Sequence, residues 1–385
     1  MPKRGCLRAN CWSLPDLIDS PSFLFYLFGF LLLLGPLIVI HELGHYLAGR
    51  WCGVRAETFS VGFGKELWHR IDKRGTRWRI AALPLGGYVQ FAGDADASSR
   101  PDAALAGKSA DELKGTMPGA PLWQRSFIVL AGPLANLLTA VLIFAGFAMA
   151  YGVPHTPPVV GGFAEKSAAQ AAGIQVGDRI TAVDGAEIES FFDISQRVAL
   201  YPGETVDVTI DRAGRTLEMP VKLMLDVSKD EFGNEMRRGL LGIAAAARPE
   251  FTRVNPLRAL QFGVTSSLEQ MRMMAIGLKQ IVFGERSVRE MGGLPKVAKF
   301  SGEMLSLGWL EFAGFAALIS INLAFINLLP IPTLDGGHLA MYAAEAVRRK
   351  PLGLRSQELA FRLGMAFVLA FAVFVNLNDL AQMFL

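Results

Sequence analysis

Charge disappears from this chain in four long runs: residues 23–40, 126–154, 312–334 and 363–378 hold no Asp, Glu, Lys or Arg. A helix rising about 1.5 Å per residue needs about 20 apolar residues to cross a hydrocarbon core. The first three runs are long enough, and the fourth becomes so once 380–385 is counted. The pattern predicts four transmembrane helices, over 22–50, 124–154, 311–346 and 357–385. No small-residue cleavage pattern follows the first run, and a cut there would sever the motif that begins at His41. It therefore reads as an uncleaved anchor and not as a signal peptide.

Between the runs the periodicity changes. In the loop over 51–123, residues 58–68, 77–82 and 85–89 read as strands broken by glycines, a β-hairpin signal. The stretch 155–246 opens with a helical Ala168-Ala169-Gln170-Ala171-Ala172, stopped at Gly173-Ile174. Gly177-Asp178-Arg179-Ile180 and a Val183-Asp184-Gly185 turn follow, and then a hairpin of 205–210 and 215–221 around Asp211-Arg212-Ala213-Gly214. That order resembles a PDZ domain of the bacterial kind, in a single copy. Over 247–310, Leu257, Leu260, Met271, Met274 and Leu278 recur at helical spacing among basic residues. Such a helix lies along a membrane surface or packs on the PDZ domain.

Composition agrees with lipid. Apolar residues make up 51% of the chain and charged residues 19%, with a mean hydropathy of +0.33. A net charge of +3 with no basic patch interleaved with aromatics leaves no case for a nucleic-acid partner. Cys6, Cys11 and Cys52 supply neither a metal-binding pair nor a disulfide framework, and Cys6 and Cys11 could pair only in an oxidising space. Basic residues set the topology. Eight of them between Arg50 and Arg79 face three acidic ones, and Arg348, Arg349, Lys350 and Arg355 fill the link between the last two spans. Both loops are expected on the cytoplasmic side, which puts residues 1–21 and the PDZ segment outside.

One motif carries chemistry. His41-Glu42-Leu43-Gly44-His45 closes the first apolar run, and positions i and i+4 share a helix face, so both imidazoles can bind one ion while Glu42 handles a water. Charge at membrane depth costs about 2.5 to 3.5 kcal/mol at a helix centre, so this cluster needs partners or a function. Catalytic zinc takes three protein ligands, which leaves a third His, Asp or Glu to find. Asp335 follows the third run just past Pro330 and Pro332, where the helix must break and backbone is tolerated only beside a cavity or inside protein. His41 lies nine residues before Arg50 and Asp335 thirteen before Arg348, which puts both roughly 13 to 20 Å from the cytoplasmic edge. His338 is the second choice as ligand. His69 and His155 are expected in loops. In Gly132-Pro133-Leu134-Ala135-Asn136 the small residues allow close helix packing, with Asn136 bonding across helices.

The His-Glu-Leu-Gly-His helix, the distant Asn327-Leu328-Leu329-Pro330-Ile331-Pro332-Thr333-Leu334-Asp335-Gly336 motif and the intervening PDZ segment together resemble the site-2 protease family, intramembrane zinc metalloproteases, and more closely its regulator-of-sigma-E branch. The resemblance implies one Zn2+ per chain on His41, His45 and Asp335, Glu42 as general base, and Asn327 holding substrate. It implies that Gly62-Phe63-Gly64 belongs to a membrane-associated β-loop that receives the substrate as an added strand. It further implies a multi-pass protein of the bacterial inner membrane with its PDZ domain on the periplasmic side, cutting single-pass membrane proteins such as anti-sigma factors or remnant signal peptides. The branch's best-studied members carry two PDZ domains, and this chain shows one. A non-catalytic scaffold or chaperone for transmembrane segments is the alternative. It would have no need of Glu42.

Overall fold

The computed structural model describes residues 23–95, 109, 111–229, 235–246, 250–283, 292–350 and 352–384. The expected outer N-terminus over 1–21, with Cys6 and Cys11, lies outside them. Four described helices are long and apolar enough to span a membrane: Leu24–Trp51, Leu122–Tyr151, Trp309–Leu328 and Arg355–Asp379.

Helix α1 (Phe23–Trp51) leads into two long strands, β1 (Ala56–Ile71) and β2 (Arg77–Phe91), which pair antiparallel with several register shifts. Helix α2 (Leu122–Tyr151) follows and packs along α1. Tyr46 of α1, Phe59 of β1, Val89 and Phe91 of β2 and Ile128 of α2 form one buried cluster. It clamps the hairpin to the two helices beside the His-Glu-x-x-His turn. His69, expected in a loop, instead sits in β1 with Nδ1 2.7 Å from Glu66 Oε1.

The next segment is β-rich: β3 (Val153–His155), β4 (Val160–Phe163), α3 (Ala168–Ala171), β5 (Arg179–Val183), β6 (Ala186–Glu187), α4 (Phe191–Ala199), β7 (Thr205–Arg212), β8 (Arg215–Lys222), β9 (Met224–Lys229), β10 (Glu235–Leu240), β11 (Ile243–Ala245) and β12 (Glu250–Thr252). A four-stranded sheet runs β6-β5-β7-β8, while β9 pairs with β10, β4 with β11 and β3 with β12. His155 thus lies in a strand, opposite Glu250, and not in a loop. Alternate residues of β7, Val206, Val208 and Ile210, join Ile180, Ile194 and Val221 in the module's core, as a sheet covered on one face requires. Ser190 and Asp193 form a capping box that starts α4.

Helix α5 (Pro256–Val282) begins at an Asn255 cap with proline in the first turn. Its small residues Ala259, Gly263 and Ser267 are buried, and Gly263 lies so close to the Val141 carbonyl of α2 that no Cβ fits. Leu257, Leu260, Val264 and Leu268 are exposed along the helix. Helix α6 (Leu294–Leu307) packs on α1 and precedes α7 (Trp309–Leu328). The third span expected over 311–346 is divided: α7 ends at Leu328, and α8 (Asp335–Arg348) starts after the Pro330 and Pro332 turn. Helix α9 (Leu354–Phe384) closes the chain. Its exposed Leu363, Phe367, Val373 and Phe374 form the kind of apolar surface that needs lipid or a partner.

Candidate metal centre and its cavity

Three elements distant in sequence meet at one point. His41 and His45 project from one face of α1, one turn apart, and Asp335 opens α8 just past the proline turn. His41 Nε2 stands 3.2 Å from His45 Nε2 and 3.2 Å from Asp335 Oδ2, and His45 Nε2 stands 3.5 Å from Asp335 Oδ1. Tetrahedral ligands held about 2.0 to 2.1 Å from a zinc ion lie about 3.3 Å from one another, so the spacing suits one. The protonation pattern agrees at His45. Its Nδ1–H donates to the Ile128 carbonyl at 2.8 Å, which leaves Nε2 of the neutral ring with a lone pair facing His41 Nε2 and the Asp335 carboxylate. Asp335 Oδ2 is buried and has no hydrogen-bond partner among the described residues. Acceptor atoms gathered this closely away from water call for a cation among them.

The site depends on close backbone approach. A Cβ on Gly132 of α2 would collide with the His45 ring and come within 2.9 Å of His41 Cε1, so only glycine lets α2 back both imidazoles. On the other side, Gly87 of β2 brings its backbone against the Glu42 side chain, where a Cβ would lie 3.0 Å from Glu42 Cγ. Glu42 is buried.

A cavity of about 200 Å³ contains the cluster, lined by His41, Glu42, His45, Asp335 and Asn327. Its other walls come from Gly87, Tyr88 and Val89 of β2, from Val129 of α2, and from Thr333 and His338. Gly62, Phe63 and Gly64 sit on the partner strand β1 and are not among the lining residues. Phe63 stacks on Tyr88 with ring centroids 6.0 Å apart. His338 lines the wall but is not one of the three clustered groups. The sequence alone did not mark Gly87, Tyr88 and Val89 as cavity walls, nor Thr333, whose buried hydroxyl has no hydrogen-bond partner among the described residues.

Chemically, the arrangement offers two imidazoles and a carboxylate for a metal, a second carboxylate beside them that is not a ligand, and a buried space above. That set matches metal-assisted hydrolysis, where the free carboxylate handles protons.

Comparison with known proteins gives a consistent picture. The family model described as Peptidase family M50 matches residues 29–371. A relative from Agrobacterium fabrum is 41% identical over 362 residues, covering 93% of this chain and 96% of the relative. One from Rhizobium meliloti is 42% identical over 359 residues, covering 92% and 96%. Both carry zinc-metalloprotease names. Metalloprotease MmpA of Caulobacter vibrioides is 36% identical over 383 residues, covering 93% and 96%. Among solved structures, the PDZ domain of an SdrC-like protein of Listeria monocytogenes aligns at 21% identity over 24% of this chain and 90% of that one, with a TM-score of 0.19, too low to carry any weight.

Proposed function

We propose, given that this chain belongs to peptidase family M50, that it is a multi-pass membrane zinc metalloprotease that holds one zinc ion on His41 Nε2, His45 Nε2 and the Asp335 carboxylate and hydrolyses peptide bonds in or near transmembrane segments. The observation that carries this reading is the convergence of those ligand atoms, from residues nearly three hundred positions apart in the chain, at spacings of 3.2 and 3.5 Å.

Zinc bound there supplies a Lewis acid and a water of lowered pKa, about 7. Glu42, buried beside the ligands, takes the proton of the attacking water and returns it to the leaving amine. Asn327, on the cavity wall, offers amide donors to the substrate backbone. A transmembrane helix must be unwound before its peptide groups can react, and each freed group needs a new partner in a site without bulk water. The hairpin of β1 and β2 supplies them by accepting the substrate as a strand, with Gly62, Phe63 and Gly64 on its membrane-facing side.

The segment from β3 to β12 acts as a PDZ domain on the periplasmic side of a bacterial inner membrane. The basic loops after α1 and after α8 support that orientation. Single-pass proteins such as anti-sigma factors, or remnant signal peptides, fit a site at the end of apolar helices.

Two measurements test this. Glu42→Gln should abolish cleavage of a co-expressed single-span substrate while zinc stays bound, and continued cleavage would eliminate Glu42 as the base. Metal analysis of the purified chain should give one zinc per chain, and Asp335→Ala should lose most of it. Equal zinc in the two would remove Asp335 from the ligand set.

A further inference from the structure

Helix α2 presents the same stripe to both imidazoles. Ile128, Gly132 and Asn136 recur every four residues and so share a face, opposite His41 and His45, themselves four apart. The Ile128 carbonyl receives the Nδ1–H of His45 at 2.8 Å, and Gly132 leaves room for both rings. Asn136 lies at His41, its side-chain amide 3.3 Å from Nδ1. The residue is fully buried.

We infer that Asn136 is the positioning residue for His41: its amide oxygen accepts the Nδ1–H of the ring and so presents Nε2, with its lone pair, to the metal. This rests on the ligand set proposed above. An asparagine amide can turn either atom to the ring. With the nitrogen toward Nδ1, the amide donates, the ring proton moves to Nε2, and His41 cannot ligate, while the buried Oδ1 has no partner. With the oxygen toward Nδ1, Nε2 is freed. One amide atom lacks a hydrogen-bond partner among the described residues either way, so the count of hydrogen bonds does not choose between the two orientations. The ligand geometry does, because Nε2 stands 3.2 Å from both other ligand atoms and must offer a lone pair there. His45 uses a backbone carbonyl for the same purpose, and Asn136 gives His41 its equivalent.

The test is zinc affinity of the purified full-length chain, measured by chelator competition. Replacing such a partner typically weakens metal binding about 10- to 100-fold, and Asn136→Leu, which cannot accept, should fall in that range. Asn136→Asp keeps an acceptor at the ring but has no amide donor, so it should bind zinc nearly as tightly as the unaltered chain. A role as donor gives no such rescue, and a role as packing alone shows instead as a lowered unfolding temperature of the metal-free Asn136→Leu chain. The Ser320 hydroxyl bonds to the backbone carbonyl of Asn136 at 2.8 Å, a contact both variants keep, and thermal unfolding of the metal-free proteins verifies that they fold. Full affinity in Asn136→Leu, or an Asn136→Asp chain as weak as Asn136→Leu, overturns the inference and leaves the ligand set standing. An unaltered chain that binds no zinc overturns the ligand set, and this inference with it.

Discussion

At the scale of single residues, Gly132 shows how narrow the tolerances are. The α-carbon of α2 sits against two imidazoles at once, so Gly132→Ala forces a methyl group into the space of the His45 ring. Overpacking of this kind costs about 1 to 3 kcal/mol, and here the strain falls on the proposed metal ligands. The variant should unfold at lower temperature and retain much less zinc than the unaltered chain. Unchanged zinc content would mean that the rings do not rest on α2. The residues proposed to carry the chemistry stood out in the sequence because their signals are local: a four-residue spacing for His41 and His45, an adjacent carboxylate, and a proline break that points to Asp335. Gly132 read as a helix-packing residue and Asn136 as a hydrogen bond across helices, structural support first and catalytic second. Nothing along α2 says that its stripe faces His41 and His45, since that depends on how two helices separated by a long loop are registered against each other.

At the scale of elements, the β-rich module is tied by Asp178, just before β5, and Arg212, at the end of β7. Arg212 Nε donates to Asp178 Oδ1 at 2.8 Å, Nη2 donates to Oδ2 at 2.7 Å, and the Gln175 backbone N–H adds a bond at 2.7 Å. The guanidinium beside it and these donors hold the Asp178 carboxyl below its usual range. A carboxyl whose value is lower in the folded state stabilises above the unfolded value and loses that contribution as the pH falls through about 4 and below. Amide protection factors at β5 and β7 in the full chain, taken relative to the intrinsic exchange rate at each pH, should therefore fall in acid. Arg212→Leu should cost about 1.5 to 3 kcal/mol at neutral pH and flatten the acid response, and an unaltered pH profile would sink this account. The hairpin of β7 and β8 was legible from its alternation and its turn. The pairing of β4 with β11 and of β3 with β12 was not, because strands of three or four residues carry little pattern and take their register from partners about 80 to 100 positions away.

At the scale of the whole molecule, two kinds of surface divide the chain. The long helices expose leucine, phenylalanine and valine outward, while the β-rich module buries its own core and meets α5 through polar contacts. Arg197 of α4 lies 3.4 Å from Glu269, and the Gln280 side chain reaches the Leu200 carbonyl. The module is thus fastened to a helix that packs on α2 and α7, the former backing the imidazoles and the latter leading to Asp335. The four apolar runs announced the membrane part plainly, since hydropathy needs no knowledge of contacts. The division of the third run into α7 and α8 needed only its prolines.

The ligands' placement at opposite ends of the chain bears on biogenesis. A ribosome that has delivered α1, the hairpin and the β-rich module to the membrane has made only two of the three groups proposed to grip the ion. On the ligand set proposed above, hydrolytic competence waits for α8 to emerge and dock, and an ion seated there would rivet the first helix to a late one.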